Sequence, residues 1–183
     1  TFEFAAARGG LEELRALEEH TRLRHFPETA DAENPARALL EGVIERQSAL
    51  ITQWLLVGFI HGVMNTDNMA LSGETIDYGP CAFMDIYDPS TVFSSIDRQG
   101  RYAYGNQAAI AQWNLTRLAE SLLPLLDTDE SHAVELAQAA LGKFAVRFEF
   151  HWLEGMRAKI GLFTNEAGDL ELIKMLLEWM QRT

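Results

Sequence analysis

The chain has 183 residues, with 15 Lys or Arg against 27 Asp or Glu, a formal charge of −12. That balance argues against binding nucleic acid or an anionic membrane through a general basic surface. An apolar content of 48% suits one domain (1–183) with a real core rather than a disordered chain, and the single Cys81 cannot close an internal disulfide.

In chain order, Leu11, Leu14 and Leu17 follow Gly9-Gly10 at helical spacing and predict a first helix running to His25. Pro27 and the polar stretch 28–34 read as a loop. Asn34-Pro35 is a helix start, a capping side chain followed by proline at the first helical position. Leu40, Val43, Ile44, Ile51, Trp54 and Leu55 then mark a buried central helix ending near Gly58. Its most apolar stretch, Ala49 to Ile60, has twelve residues, too few to span a bilayer. Met69 to Tyr78 reads as a β-hairpin around Ser72-Gly73, followed by a long irregular stretch from Gly79 to Gly105. A helix is expected from Asn106 to a stop near Pro124, and another through Val134, Leu141 and Phe148 without a break. A last helix carries Leu172, Ile173, Leu176 and Trp179. The architecture expected is mainly α, with one small hairpin.

The polar segment after the central helix carries the chemistry. Protein kinases place a catalytic loop of pattern H-R-D-x-x-x-x-N after a buried helix, then a hairpin, then D-F-G. Here His61 and Asn68 keep the spacing of that loop, and Asp77-Tyr78-Gly79 stands across the hairpin. An Asn and an Asp so placed suit Mg²⁺, which takes hard oxygen ligands and shares them with phosphates and water. Val63 stands where the kinase base would be and cannot accept a proton, so Asp67 is the nearest available base. Spacing alone equally suits a histidine at a helix end, Asp67 and Asn68 in a turn, and Asp77 at a strand end.

The strings His61-Gly-Val-Met-Asn-Thr-Asp-Asn-Met69 and Thr75-Ile-Asp-Tyr-Gly-Pro80 resemble the selenoprotein-O family of protein adenylyltransferases. So do Val92-Phe-Ser-Ser-Ile-Asp97, Tyr102-Ala-Tyr-Gly-Asn-Gln107 and Met156-Arg-Ala-Lys-Ile-Gly-Leu162, and the resemblance runs over essentially the whole chain. It implies a pseudokinase-like fold that transfers AMP from ATP to hydroxyl side chains of proteins. Asp67 then resembles the proton acceptor, and Asn68 and Asp77 the ligands of Mg²⁺, or of Mn²⁺ in its place. Asp77 would also lie against the ATP phosphates.

Kinases add a glycine-rich loop and a phosphate-pairing lysine before the catalytic loop. No lysine precedes Lys143 here, and Gly9-Gly10 follows no strand. The chain therefore reads as a kinase-like C-terminal lobe, without the nucleotide-clamping lobe or a C-terminal tail, inactive alone and exposing a face prone to self-association. A cytoplasmic location is expected, with no nucleic-acid or membrane partner. Ordinary phosphoryl transfer, or a helical interaction module retaining the motif as scaffold, are the other readings. His20 and His25 are spaced too poorly for a metal site, His151 reads as a packed helix residue, and Cys81 as an inert thiol. Arg98 and Arg101 could contact phosphate or a protein substrate, with solvated arginines the default, and Asp85 and Asp88 either add negative charge beside the metal or serve turns.

Overall fold

The computed structural model describes residues 1–182. Seven helices carry the fold: α1 (Phe2–Arg8), α2 (Leu11–His25), α3 (Pro35–Leu56), α4 (Gln107–Leu126), α5 (Glu130–Leu141), α6 (Lys143–Ile160) and α7 (Asp169–Arg182). Two short strands, β1 (Phe59–Ile60) and β2 (Ala82–Phe83), form one antiparallel pair with Phe59 opposite Phe83.

α3 is the axis of the molecule, packed against α2, α4, α5, α6 and β1. Leu39, Leu40, Val43, Ile44 and Ile51 recur at helical spacing and are all but inaccessible. Each such aliphatic side chain contributes about 1.5–3 kcal/mol by leaving water. The start of α3 is as the sequence predicts: Asn34 Oδ1 accepts from the Arg37 N–H at 3.1 Å, with Pro35 at the first helical position. The Asn34 amide also donates to the Leu126 carbonyl at 2.8 Å, so one side chain closes the start of α3 and the end of α4. The first helix expected, Leu11 to His25, coincides with α2, while the short α1 before it carries too little pattern to read.

Three expectations need correction. The hairpin at 69–78 is a turn closed by a single bridge, Met69 with Thr75, and not a pair of strands. The strands lie instead at 59–60 and 82–83, so the sheet closes the two ends of the motif-bearing loop. α4 passes through Pro124 and ends at Leu126. A proline there loses one ladder bond to the preceding turn. The helix expected through Val134 and Phe148 is two helices, broken at Gly142. α5 has its own start, with the Asp129 carboxylate accepting from the His132 N–H at 2.8 Å.

α7 is held to α6 by a polar clip. The Arg157 guanidinium donates to Asp169 Oδ2 at 2.6 Å and to Glu154 at 2.8 Å, and also reaches Asn165. Among the described residues no helix is long and apolar enough to cross a membrane.

Candidate active site

The loop from His61 to Cys81 leaves β1 and returns on β2, so its ends are fixed side by side. Its entry is set by a helix side chain. Gln107, the first residue of α4 and fully buried, accepts from the His61 N–H at 3.0 Å and donates to the Phe59 carbonyl at 2.9 Å. His61 is itself fully buried. Its Nε2 lies 2.8 Å from the Ile76 carbonyl, which can only accept, so Nε2 carries the proton and Nδ1 is left to accept from Val63 at 3.4 Å. The ring thus ties the start of the loop to the residue before Asp77.

Gly62 follows in the left-handed region at φ +86°, where a Cβ would meet the Pro80 carbonyl oxygen at 2.8 Å. That close approach brings the two halves of the loop together and requires glycine. Deeper anchors come from the helices. Asn114 of α4 donates to the Met64 carbonyl at 3.0 Å, Gln47 of α3 to Ala70 at 2.6 Å, and the Trp54 indole N–H to Thr75 Oγ1 at 2.9 Å.

Held this way, Thr66–Asn68 makes a single 3₁₀ turn with Asp67 exposed in its middle. Asn68 Nδ2 donates to the Val63 carbonyl at 2.9 Å, which leaves its amide oxygen available as an acceptor. Asp77 is exposed and is the single non-glycine residue at positive φ among those described, at 55°. Side chains seldom tolerate that conformation, and such residues concentrate at functional sites. Among the described residues neither the Asp67 nor the Asp77 carboxylate has a hydrogen-bond or ion-pair partner. The Met69–Thr75 bridge pairs the residue after Asn68 with the one two before Asp77. The Asn68 amide oxygen and the Asp77 carboxylate are hard oxygen donors, the kind a divalent cation shared with phosphates prefers. Among the described residues no group of three or more His, Cys, Asp or Glu is placed to hold a metal ion.

The long stretch after β2 is braced rather than loose. The Tyr104 hydroxyl donates to the Leu55 carbonyl at 2.5 Å, and burial pushes its pKa up to about 12. Tyr102 donates to Asn65 at 2.6 Å, tying this stretch to the residue that opens the Thr66–Asn68 turn. Asp97 accepts from the Arg101 and Tyr102 backbones, at 2.8 and 2.7 Å. Asp88 holds Ser90 in a turn, one of its two readings from sequence, and hydrogen bonds from the Ser90 backbone and hydroxyl lower its pKa. Arg101 stacks over Trp113, 4.9 Å from the ring centroid, and His151 pairs with Glu45 at 2.9 Å. Cys81 is half-buried against the core.

Gln107 closes the string Tyr102–Gln107 that carries the resemblance, but its anchoring role, like those of Gln47 and Asn114, is not announced by any spacing. The signal available is a polar residue on an otherwise apolar helix face: Gln107 and Asn114 stand two turns apart on α4 among Ile110, Ala111, Leu115 and Leu118.

A family model described as "Protein adenylyltransferase SelO" matches residues 1–183. Protein nucleotidyltransferase YdiU of Rhizobium etli is 64% identical over 181 residues, 99% of this chain and 36% of its own length. The protein of that name from Halalkalibacterium halodurans is 64% identical over 183 residues, and that from Alkaliphilus metalliredigens 62% over 182, each over 37% of its own length. The chain therefore spans a little over a third of the curated relatives it matches. With the family match running from first residue to last, the chain belongs to the SelO family of protein adenylyltransferases.

Proposed function

We propose that this chain is the metal- and base-bearing part of a protein adenylyltransferase, a kinase-like C-terminal lobe that transfers AMP from ATP to hydroxyl side chains of proteins. The observation that carries the reading is the whole-chain family match, with Asp67, Asn68 and Asp77 on one braced loop, two carboxylates free of protein partners. In the transfer, the acceptor hydroxyl oxygen forms a bond to the α-phosphorus, the bond to the bridging oxygen breaks, and pyrophosphate leaves with its electron pair. Asp67 takes the hydroxyl proton. Asn68 through its amide oxygen and Asp77 through its carboxylate would hold Mg²⁺, which neutralises charge on the phosphates. Such transfers depend on positioning and charge stabilisation more than on covalent help from the protein.

The isolated chain is expected to bind ATP weakly and to transfer little, because it holds no glycine-rich loop after a strand and no lysine ahead of Lys143. Mass spectrometry of an acceptor protein incubated with ATP, Mg²⁺ and the full-length protein tests the reaction. An added AMP supports this reading, and an added phosphate replaces it with ordinary kinase chemistry. The ATP requirement fits a cytoplasmic setting.

A further inference from the structure

Trp113 on α4 carries two guanidinium groups in a chain of charge −12. Arg101 lies 4.9 Å from its ring centroid and 5.7 Å from that of Tyr102, and Arg117 lies 5.4 Å from the Trp113 centroid. The two cations differ in what they already hold. Arg117 is half-buried and paired with Glu120 at 2.5 Å. Arg101 is exposed, and among the described residues its side chain rests on the two rings with no hydrogen bond or ion pair. Asp97, the carboxylate nearest to it in sequence, spends its two oxygens on the Arg101 and Tyr102 backbone N–H groups. Stacking engages the flat face of a guanidinium and leaves its N–H edge open, and that edge is what a carboxylate bonds with both oxygens. The side chain is also held before a ligand arrives. Asn106 Nδ2 donates to the Gly100 carbonyl at 2.7 Å, Asp97 fixes the Arg101 backbone, and Trp113 belongs to a helix. Lost rotamer freedom is the usual cost of an exposed ion pair, and here much of it is already spent.

Placement decides which anion the cation serves. Tyr102 donates to Asn65, which opens the turn bearing Asp67. Arg117 and Asp67 border one cavity, and neither Asn68 nor Asp77 borders it. The stacked pair therefore neighbours the residue assigned to the acceptor rather than those assigned to the metal and phosphates. We propose that Arg101, stacked on Trp113, receives an Asp or Glu side chain of the acceptor protein, about two to four residues from the hydroxyl that is modified. The inference rests on the AMP-transfer reading above. Glu3 and Asp67 stand exposed at the turn, Glu3 accepting from the Thr66 hydroxyl at 2.8 Å, so an acidic acceptor meets like charge there. A fixed guanidinium beside them turns that repulsion into a choice of register: a carboxylate is accepted at one position along the acceptor, and a lysine at that position is refused.

The test is a peptide scan on the full-length protein that contains this chain. A single serine, threonine or tyrosine in an alanine and glycine background is combined with Glu, Gln or Lys at each of the four positions on either side. Transfer from ATP and peptide binding are both measured. One position is expected to favour Glu over Gln by about fivefold in KM with kcat little changed, the preference fading as salt rises. Arg101→Gln should bring the Glu peptide to the KM of the Gln peptide, and Arg101→Glu should turn the preference to Lys. Trp113→Ala should lose most of the preference and Trp113→Phe should keep it. The proposal is overturned if no position favours Glu, or if the preference survives Arg101→Gln. It is also overturned if Arg101→Gln raises the KM for ATP instead, which makes Arg101 a phosphate contact. The mass of the product separates the surface from the chemistry. AMP added with no acidic preference sinks the surface and spares the transferase, while phosphate added with an Arg101-dependent preference does the reverse. If no peptide is modified, tighter binding of the Glu peptide that Arg101→Gln abolishes supports the surface, and equal binding overturns it.

Discussion

Asn34 works at two helix ends, accepting from Arg37 and donating to Leu126. Asn34→Ala is expected to cost about 1–2 kcal/mol, near the top of the range for a lost cap, because it orphans a carbonyl of α4 as well. Asn34→Asp keeps the cap and loses the second bond, so denaturant unfolding should place it between the two. At the site, the two aspartates should separate by role in the full-length protein. On the proposed role, Asp77→Ala takes away a charged metal ligand, so metal-dependent ATP binding and transfer should fall together. Asp67→Ala should cut transfer by about 10²-fold or more while leaving most of the binding, since a base acts on the acceptor and not on ATP. Equal loss of ATP affinity in both would contradict the role given to Asp67. The sequence singles these residues out because a carboxylate and an amide at a kinase-like spacing carry recognisable chemistry. The left-handed backbone of Asp77 was not legible, since nothing in Ile-Asp-Tyr-Gly announces it.

Elements with strong punctuation were readable, and those without it were not. α2 and α3 begin and end on glycine, proline and a capping asparagine, and their bounds match the sequence reading closely. Pro124 misleads because a proline in a last turn forfeits a single bond, less than the packing of Leu122 and Leu126 returns. β1 and β2 have two residues each, too few for any alternation to show, and their pairing is a long-range event. The loop they close depends on Gly62. Gly62→Ala should cost about 1–3 kcal/mol in unfolding, since it combines an unfavourable φ with a backbone clash. α7 depends on its clip to α6. The Glu166 backbone N–H and then the Arg157 guanidinium hold the Asp169 carboxyl below the usual aspartate range, against the opposing effect of burial. A carboxyl lowered in the native state stabilises it at neutral pH and loses that contribution as pH falls through the native value. α7 should therefore loosen in acid, below about pH 4, read as faster amide exchange in that helix. Asp169→Asn should show faster exchange already at neutral pH and little further change with acid.

At the scale of the molecule, the loops around the site present bare apolar side chains: Tyr78 at 65% exposure, Phe83 at 63%, Ile86 at 76% and Ile96 at 81%. Exposed apolar groups in such number on one loop system mark a surface made for contact. The isolated chain is expected to self-associate with rising concentration in sedimentation velocity, and Ile86→Glu with Ile96→Glu should return it toward a monomer. Unchanged association in the double variant would direct attention to α6 and α7 instead. A last consequence lies in Gln107. A strand of two residues has almost nothing to fix its register, and a slip of one position would turn Phe59 and Ile60 to opposite faces. The carboxamide bonds the groups on either side of Ile60, as a neighbouring strand would, so β1 is flanked by β2 along one edge and by a single side chain along the other. In hydrogen bonding the sheet has a third member supplied by a helix, and the alignment of the aspartate loop is written into the first turn of α4.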